Sequence, residues 1–404
     1  MSSAIPDHVP DELIHPFDFR LDPRIETDPW SFFASAADLP EVFWSPDLGG
    51  HWVLARAARI QEAWMRPDLF SARSVSVPRI DSPYRLIPNN LDPPEHRAYQ
   101  QIFTRQMFAP RIIDALAHAF RAMTRARIDA FFPEGCADFN AEYAQPLPVQ
   151  IFLSMLGVAP ERRVEFDSGV QRVFRGATPE DVFGGMTEVA QLLGEWIESE
   201  MADREAPRDA HVLEAMLRAE IDGRRLDKAE LTSMATMLML AGLDTVTSAT
   251  LHQILFLATH PEHRRQLIDD PAKIPNAVEE LLRRFSAPNL GRIVAQDCTF
   301  AGVPMREGDM VLVSTTIAGL DGERFERPFE VDFDRPGLKA ESLSFGTGIH
   351  MCSGHALART ELAITLQELL PRLPNLRLRE GAEIRYASGG TLTITTPVPI
   401  EWDA

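Results

Sequence analysis

The sequence predicts a mainly α-helical protein with a minor β part, and two patterns support this prediction. Apolar residues recur at helical spacing through most of residues 94–290. Short apolar stretches separated by turns follow between 291 and 404, which is typical of strands. The first 60 residues are predicted to be an irregular wrap with the first strands. By length alone, 404 residues would form two or three domains of about 150 residues.

The individual elements are predicted in chain order. Residues 51–55 (HWVLA) predict a short strand, and 57–65 predict a short helix. Residues 71–94 contain five prolines and predict a long loop, which is unusual unless the loop is functional. Further helices are predicted at 111–131, 144–157, 186–202, 212–219, 231–259, 274–285 and about 353–370, and further strands at 293–299, 310–314 and 391–395.

Composition and charge limit the partners and the location of the protein. Lys plus Arg total 40 and Asp plus Glu total 59, so the formal net charge is −19. This charge repels phosphate, and nucleic acid is therefore not expected as a partner. The odd, sparse set of three cysteines argues against a disulfide framework and for a reducing cytoplasm. The N-terminus lacks a signal-peptide pattern and no stretch reaches the about 20 apolar residues that span a bilayer, so we expect a soluble cytoplasmic protein.

The most informative segment is 345–354, where three glycines lead directly into a predicted helix. Glycines permit tight turns and close approach of the backbone to a flat ligand. Cys352 lies next to the helix start, where free N–H groups and the helix dipole favour a thiolate. With three cysteines and no CxxC pair, a zinc site or an iron–sulfur cluster lacks its other ligands. A single thiolate ligand fits haem iron, and the alternative is that Cys352 is an ordinary buried cysteine.

The same segment, FGTGIHMCSG, matches the pattern Phe-Gly-x-Gly-x-His-x-Cys-x-Gly. It resembles the haem-binding loop of the cytochrome P450 superfamily, and most of all the soluble bacterial class that includes the camphor hydroxylase. The resemblance extends over nearly the whole chain. It implies a single cytochrome P450 domain over 1–404, with a helical core at 94–290, a long central helix over the haem and a cysteine loop beneath it. It also implies one haem b per chain, with Cys352 as the axial iron ligand and with contacts from Phe345, Gly346, His350 and Gly354.

Glu280 and Arg283 match the Glu-x-x-Arg pair of this family. Three residues apart on a helix, the two side chains lie on one face and can bond, although the spacing alone also fits an ordinary solvated ion pair. The resemblance implies that Arg335 completes a buried Glu–Arg–Arg cluster. This cluster would hold the meander that positions the cysteine loop.

Residues 241–245 lie inside the longest predicted helix. An acid followed by an alcohol is costly in an apolar helix unless both groups are used or paired. The resemblance implies that Ala241 and Gly242 leave room for dioxygen on the distal face of the haem. It implies further that Thr245 donates a hydrogen bond to the bound oxygen and that Asp244 relays protons. The alternative is a threonine bonded to the carbonyl one turn earlier and an aspartate on a polar face. Peroxide-using members generally lack this Asp-Thr pair, so its presence implies reductive activation of dioxygen.

The haem carboxylates need cations or hydrogen-bond donors. The resemblance implies that His350 and Arg292 contact them. The family's His-Arg-x-x-Arg motif corresponds here to His96, Arg97 and Gln100. A neutral amide therefore stands where the second arginine is usual, and His96 is the residue expected to compensate.

Electrons are expected from separate proteins, because the chain shows no flavin or ferredoxin segment. The resemblance implies that an acidic iron–sulfur ferredoxin docks on the face around the cysteine loop, where a local positive charge would steer it. The candidate docking cations are Arg97, Arg105, Arg111, Lys339 and Arg359. The alternative is five scattered, solvated cations.

The substrate pocket is predicted from positions relative to the family motifs, and its candidate residues are Tyr84, Leu86, Met237, Leu240, Pro288, Gly390 and Thr391. Most are apolar, and the Tyr84 hydroxyl is expected to donate to a substrate oxygen unless it is a packing tyrosine. We expect a small hydrophobic, terpenoid-like substrate. The second choice is an aromatic acid or another small aromatic molecule, because Arg73, Arg79 and Arg85 lie in the proline-rich loop.

The expected reaction is RH + O₂ + 2e⁻ + 2H⁺ → ROH + H₂O, carried out by a monomer without nucleic acid or membrane. One alternative of a different class is a haem-thiolate protein that binds or rearranges its ligand without external electrons, and the Asp-Thr pair argues against it. Another is a helical binding protein without haem.

Overall fold

The computed structural model describes residues 5–79, 85–166, 168–170, 172, 179–206 and 211–403. The α-helices are α1 Arg24–Thr27, α2 Pro29–Ala34, α3 Ala57–Trp64, α4 Glu95–Ile102, α5 Pro110–Phe131, α6 Pro146–Met155, α7 Pro179–Met201, α8 His211–Arg218, α9 Lys228–Thr259, α10 Pro261–Asp269, α11 Ile274–Arg284, α12 Thr315–Gly319, α13 Leu338–Glu341 and α14 His355–Leu369. The strands are β1 Val42–Ser45, β2 His51–Leu54, β3 Phe70–Ser71, β4 Cys136–Asp138, β5 Glu220–Ile221, β6 Arg224–Arg225, β7 Asn289–Val294, β8 Cys298–Phe300, β9 Val303–Met305, β10 Met310–Ser314, β11 Arg377–Leu378, β12 Tyr386–Ser388, β13 Leu392–Ile394 and β14 Pro399–Glu401. The predicted mainly helical class with a minor β part is confirmed.

The central helix α9 begins at a capping box. The Asp227 carboxylate accepts from the Glu230 N–H at 2.9 Å, and the Glu230 carboxylate accepts from the Asp227 N–H at 2.7 Å. Two otherwise unpaired donors at the helix start are thereby satisfied. In the part of the chain that the structure describes, α9 is the one helix long and apolar enough to cross a bilayer, and half of its most apolar window is buried inside the protein. A core helix has the same composition, and α9 packs against α6, α7, α11 and α14.

The largest sheet has five strands in the order β1–β2–β10–β7–β3. Only the β2–β10 pairing is parallel among these neighbours, and all five residues of β10 are buried. The β10–β7 pairing sets Val311 opposite Arg292, which fixes where the latter side chain enters the interior. A second sheet has the order β11–β14–β4, and β5–β6, β8–β9 and β12–β13 form hairpins.

Two local predictions were wrong. The strand predicted at 293–299 is divided between β7 and β8, because the Asp297 carboxylate turns the chain by binding the Glu307 N–H at 2.9 Å and the Arg306 guanidinium at 2.5 Å. The predicted irregular wrap of the first 60 residues contains, besides the predicted first strands, the helices α1 and α2. Its aromatic residues are core residues, and Phe17 packs on Phe32 with ring centroids 4.6 Å apart.

Candidate functional site

A cavity of about 440 Å³ lies between α9, the cysteine loop (residues 345–354) and the start of α14. Most of the described residues predicted for the site line this cavity: Leu86, His96, Gln100, Met237, Leu240, Ala241, Gly242, Thr245, Pro288, Arg292, Phe345, Gly346, His350, Cys352, Gly354, Gly390 and Thr391. Tyr84 lies outside the described residues. Elements far apart in sequence therefore bring the candidate residues together around one space.

The cysteine loop is held against the end of α3. Gly348 has a φ of +69°, and a Cβ at this position would lie 2.8 Å from the carbonyl oxygen of Trp64. Only glycine fits both the left-handed conformation and this close approach. The Cys352 N–H donates to the Phe345 carbonyl at 2.9 Å and closes the loop. Gly348 and this hydrogen bond thus fix the backbone that places the Cys352 thiol at the cavity.

The electrostatic surroundings of Cys352 act on the pKa of its thiol in two directions. Burial raises the pKa of the Cys352 thiol, while the Gly354 N–H and the Arg359 guanidinium act in the opposite direction. The largest of these influences is burial, so the pKa of the thiol lies above its usual value. A cation in the cavity would supply the missing stabilisation, because a metal ion deprotonates a thiol that coordinates it.

One corner of the cavity gathers groups that hold or can take a positive charge. The Arg292 side chain is almost fully buried, and its Nη1 donates to the Gly291 carbonyl at 2.8 Å. The rings of His96 and His350 lie 4.2 Å apart, and both buried Nε2 atoms have no hydrogen-bond partner among the described residues. Burial lowers the pKa of Arg292 to about 10 and that of His350 to about 3, and it also lowers the pKa of His96. Buried polar atoms without partners call for a ligand, and carboxylates are the matching acceptors.

The neighbouring α4 residues are placed differently. Gln100 lines the cavity, and its Nε2 donates to the Met351 carbonyl at 3.4 Å, which is a long hydrogen bond. Arg97 is exposed and does not line the cavity. Of the predicted His-Arg-x-x-Gln contacts, the structure therefore brings His96 and Gln100 to the site and leaves Arg97 on the surface.

The middle of α9 combines an open wall with two polar groups. A Cβ on Gly242 would meet no atom within 4 Å, so space lies beside this residue. The Thr245 hydroxyl lines the cavity and donates to the Ala241 carbonyl at 2.6 Å, as threonines in helices commonly do. Asp244 does not line the cavity but is half-buried beside it. Burial raises the pKa of the Asp244 carboxyl, and a hydrogen bond with Thr391 opposes that shift.

Glu280, Arg283 and Arg335 form one buried cluster behind the site. Arg283 donates to Glu280 through Nε at 2.7 Å and Nη2 at 2.8 Å, and Arg335 Nε donates to it at 3.1 Å. Both Glu280 and Arg283 have no exposed surface. The remaining arginine donors bind backbone carbonyls of residues 319–330. The cluster thereby ties α11 to the segment that precedes the cysteine loop.

Several wall residues were not predicted from sequence, and they are mostly apolar: Phe103, Phe108, Pro148, Ile151, Phe152, Met155, Val246, Ala249 and Phe285. Their helical spacing is that of ordinary core residues, so the sequence carries no signal for them. A second omission is the acid Glu361, which lines the cavity from α14. Its signal is local, because Leu357, Glu361 and Thr365 recur at four-residue spacing on one buried helix face.

The predicted cations fall into two groups. Arg97, Arg105, Arg111 and Lys339 are exposed and form no ion pair with any described residue. Arg359 is instead half-buried, bound to the Glu279 carboxylate and placed 4.4 Å from the Phe345 ring centre. Arg359 is therefore paired with a carboxylate distant in sequence, and its role in docking stays a prediction.

The arginines suggested for an acidic substrate do not reach the cavity. Arg73 and Arg85 are exposed and pair with Asp92 at 3.3 Å and Glu95 at 2.7 Å. Arg79 is also exposed and is not among the residues that line the cavity. The structure thus provides no arginine clamp for a carboxylate from these three residues.

These features together fit a flat, metal-bearing ligand with carboxylate groups. The cavity offers one thiol that a metal ion can bind, a buried corner with unpartnered nitrogen atoms and an open helix wall at Gly242. A haem has the complementary groups, namely iron, two carboxylates and a flat apolar ring.

Comparisons with known proteins agree with this assignment. The family model described as Cytochrome P450 matches residues 168–395. Probable cytochrome P450 127A1 of Sinorhizobium fredii is 32% identical over 391 residues, which cover 94% of this chain and 92% of the relative. Vitamin D(3) 25-hydroxylase of Pseudonocardia autotrophica is 30% identical over 345 residues, which cover 84% of each chain. The crystal structure of Cytochrome P450 CYP101C1 superposes with a TM-score of 0.91 at 30% identity, over 99% of this chain and 100% of the other.

Proposed function

The chain belongs to the cytochrome P450 family, and we propose that it hydroxylates a small hydrophobic, terpenoid-like substrate with electrons from a separate ferredoxin chain. Membership implies a monooxygenase that uses haem b, O₂, a substrate and a redox partner. The substrate class, the ferredoxin and the residue roles are our proposals. The single observation that carries them is the cavity that joins the Cys352 thiol, the cationic corner and an apolar wall.

When bound, the haem supplies the iron at which O₂ is activated. The Cys352 sulfur is the proposed iron ligand, and Arg292, His96 and His350 are the proposed partners of the haem carboxylates. The Glu280 cluster would keep the cysteine loop at its distance from α9. These residues hold and orient the cofactor, and Gly242 keeps the opposite wall free of side-chain atoms.

Two residues of α9 are proposed to handle protons. The Thr245 hydroxyl faces the cavity and can redirect its proton from the Ala241 carbonyl toward a bound oxygen. The Asp244 carboxyl has a raised pKa and lies against Thr391, which itself lines the cavity. A carboxyl with a raised pKa carries a proton closer to neutral pH, which suits a group that relays protons.

The wall chemistry supports a hydrophobic substrate with few polar groups. Met237, Leu240 and Pro288 supply apolar surface, and Thr391 supplies a hydroxyl. Such a wall fits a small oxygenated hydrocarbon better than an acid. The runner-up aromatic acid loses support because Arg73 and Arg85 are paired on the surface.

The proposed electron donor is an acidic iron–sulfur ferredoxin. Arg97, Arg105, Arg111 and Lys339 are exposed, and we propose that they lie on the face that docks the ferredoxin, because positive charge steers an acidic partner. A cytoplasmic location is proposed with this partner. Charge reversal at Lys339 should slow reduction by ferredoxin at low salt. Arg359 is not used for this test, because its substitution would also break the ion pair with Glu279.

The first test is an absorption spectrum of the dithionite-reduced protein with carbon monoxide. We expect a strongly red-shifted Soret band that is lost in Cys352→Ala and kept in Cys298→Ser, a matched change at a half-buried cysteine outside the cavity. A band typical of histidine-ligated haem in the wild type would overturn the thiolate assignment.

The second test titrates the oxidised protein with terpenoid ketones and alcohols and with aromatic acids. We expect terpenoids to shift the iron spin state at lower concentration than the acids. Tighter binding of aromatic acids would overturn the substrate proposal while leaving the monooxygenase assignment intact.

A further inference from the structure

Glu361 is a buried acid that the proposed reaction does not use. It lies on α14, nine positions after Cys352, and only 5% of its surface is exposed. Its side chain lines the cavity together with Leu357, Ala358 and Leu362 of the same helix. Because α14 follows the cysteine loop directly, this wall belongs to the cysteine side of the cavity.

The other buried carboxylates of the described core have partners, and Glu361 is the exception. Glu280 accepts from two arginines and from the Asp332 N–H, and Glu279 pairs with Arg359. Asp321 accepts from the Ala57 and Glu323 N–H groups. No hydrogen bond or ion pair reaches the Glu361 carboxyl within the residues that the structure describes, where only its backbone carbonyl accepts, from Thr365. An acid buried without a partner is costly as a carboxylate, so its protonation state responds to new charge nearby.

Among the groups around it, Glu361 is the one whose protonation state we expect to change when a charge is added to the cavity. The elements packed against α14 are α5, α9 and α11. The titratable and charged groups on these helices, on α14 itself and on the cysteine loop are Arg111, Asp114, His118, Arg121, Arg125, Arg127, Asp129, Lys228, Glu230, Asp244, His252, Glu279, Glu280, Arg283, Arg284, His350, Cys352, His355, Arg359 and Glu368, and Tyr143 bonds to Thr365 of α14. Among them, Arg121 and Arg125 pair with Glu368, Arg283 pairs with Glu280, and Arg359 pairs with Glu279. Burial alone raises the pKa of Glu361 to about 8. Burial also raises the pKa of Tyr143, and it lowers that of His252 to about 3, so neither titrates near pH 8.

We propose that Glu361 is the proton acceptor that couples one-electron reduction of the haem to uptake of one proton. The inference rests on the proposed function, because it needs the haem in this cavity. One electron enters from the ferredoxin, or from dithionite in the test, and one proton enters from solvent. The proton forms an O–H bond on the carboxylate, so the added negative charge of the reduced site is neutralised.

The test is a spectroelectrochemical titration of the substrate-free holoprotein between pH 6 and pH 9.5. In the wild type, we expect the reduction potential to fall as the pH rises through the region around 8. The limit of this slope is about 59 mV for each tenfold change in proton concentration. Glu361→Gln keeps the shape of the side chain and removes its titration, so we expect a flat profile in this region.

Two further variants make the result specific. Glu368→Gln, seven positions later on α14, alters a carboxylate paired with Arg121 and Arg125 and should keep the wild-type slope. Glu361→Leu should fold, because it removes an unpartnered buried acid, and should also be flat. A reduced-minus-oxidised infrared spectrum at pH 8 should show a carboxylic acid C=O band in the wild type that is absent in Glu361→Gln.

The outcomes separate this inference from the proposed function. A wild-type slope that persists in both Glu361 variants, or a flat wild-type profile, would overturn the role of Glu361 while the red-shifted Soret band still supports the enzyme. Loss of that band in the wild-type sample would overturn both.

Discussion

Two buried groups of polar residues differ in how completely they are satisfied. In the cluster of Glu280, Arg283 and Arg335, the charged groups bind one another or backbone carbonyls. In the corner formed by Arg292, His96 and His350, buried nitrogen atoms remain without partners among the described residues. The satisfied cluster stabilises the fold, whereas the unsatisfied corner is arranged for a ligand that supplies acceptors.

The difference follows from what surrounds each group. Arg283 lies between α11 and the segment 319–330, whose carbonyls take up its donors at 2.7–3.0 Å. Arg292 points from β7 into the cavity, where the walls are mostly apolar side chains. The buried Arg283 therefore indicates a structural role, whereas the buried Arg292 indicates a binding site.

The largest expected effect is the loss of the anion in the satisfied cluster. Glu280→Ala leaves Arg283 and Arg335 buried without a carboxylate, so we expect the free energy of unfolding to fall by about 3–5 kcal/mol. Urea denaturation followed by circular dichroism measures this change. Glu165→Ala, in the exposed pair with Arg162, is the control and should leave the curve almost unchanged. An equal loss in both variants would contradict the distinction between buried and exposed pairs.

The second effect separates the two buried arginines. Arg292→Met should speed haem dissociation by about 10- to 100-fold, since a hydrogen bond to a charged group contributes about 1.5–3 kcal/mol. The apoprotein should not lose stability, because the variant no longer buries an unpaired cation. Transfer of haem to apomyoglobin measures the dissociation rate, and urea denaturation measures the apoprotein. Arg283→Met should do the reverse and destabilise the apoprotein; the same behaviour in both variants would refute the comparison.

The third effect compares two glycines. At Gly319, an added Cβ would collide with the backbone carbonyl of Arg283, so Gly319→Ala should cost about 1–3 kcal/mol of stability by overpacking. At Gly242, an added Cβ meets open space, so Gly242→Ala should stabilise the apoprotein by about 0.5–1 kcal/mol through helix propensity. Thermal unfolding of the two variants tests whether their stabilities change in opposite directions. Gly242→Ala should also weaken binding of carbon monoxide to the reduced holoprotein.

The smallest effect concerns acid stability. Burial lowers the pKa of His252 to about 3, compared with about 6.5 in an unfolded chain. As the pH falls below 6.5, the unfolded state binds a proton that the folded state does not, so stability decreases until about pH 3. His252→Phe keeps the stacking on Tyr386 and Phe285 and removes the group that binds this proton. Between pH 6.5 and 5.5, the wild type should lose about 1 kcal/mol more than the variant in urea denaturation; parallel losses would exclude His252 as the cause.

Local spacing predicted much of the helical framework. The apolar stripe at 111–131 corresponds to α5 over Pro110–Phe131, and the Glu280–Arg283 spacing placed two side chains on one helix face. Both depend on residues three or four positions apart, and helix geometry alone brings such residues together. The cysteine motif predicted the site for the same reason, because its glycines act within a single turn.

Two features that the sequence did not predict involve packing between segments that are distant in sequence. Nothing in the sequence indicated that Arg359, a predicted docking cation, pairs with Glu279, eighty positions earlier. Glu361 was overlooked, since a charged residue in a helix is ordinarily exposed. In both cases, the packing of α14 against other elements decides whether the charge is solvated, paired or left alone.

The sequence by itself determined the fold class, the family and the identity of the cysteine loop, because these depend on composition, periodicity and contiguous motifs. The tertiary structure decided which buried charges are satisfied. Among the described residues, it left the Nε2 atoms of His96 and His350 and the carboxyl of Glu361 without partners, and it gave the Glu280 cluster its carbonyls. The physical reason is that the free energy of a buried charge depends on the atoms within a few ångströms, and only the packing of distant segments brings those atoms into place.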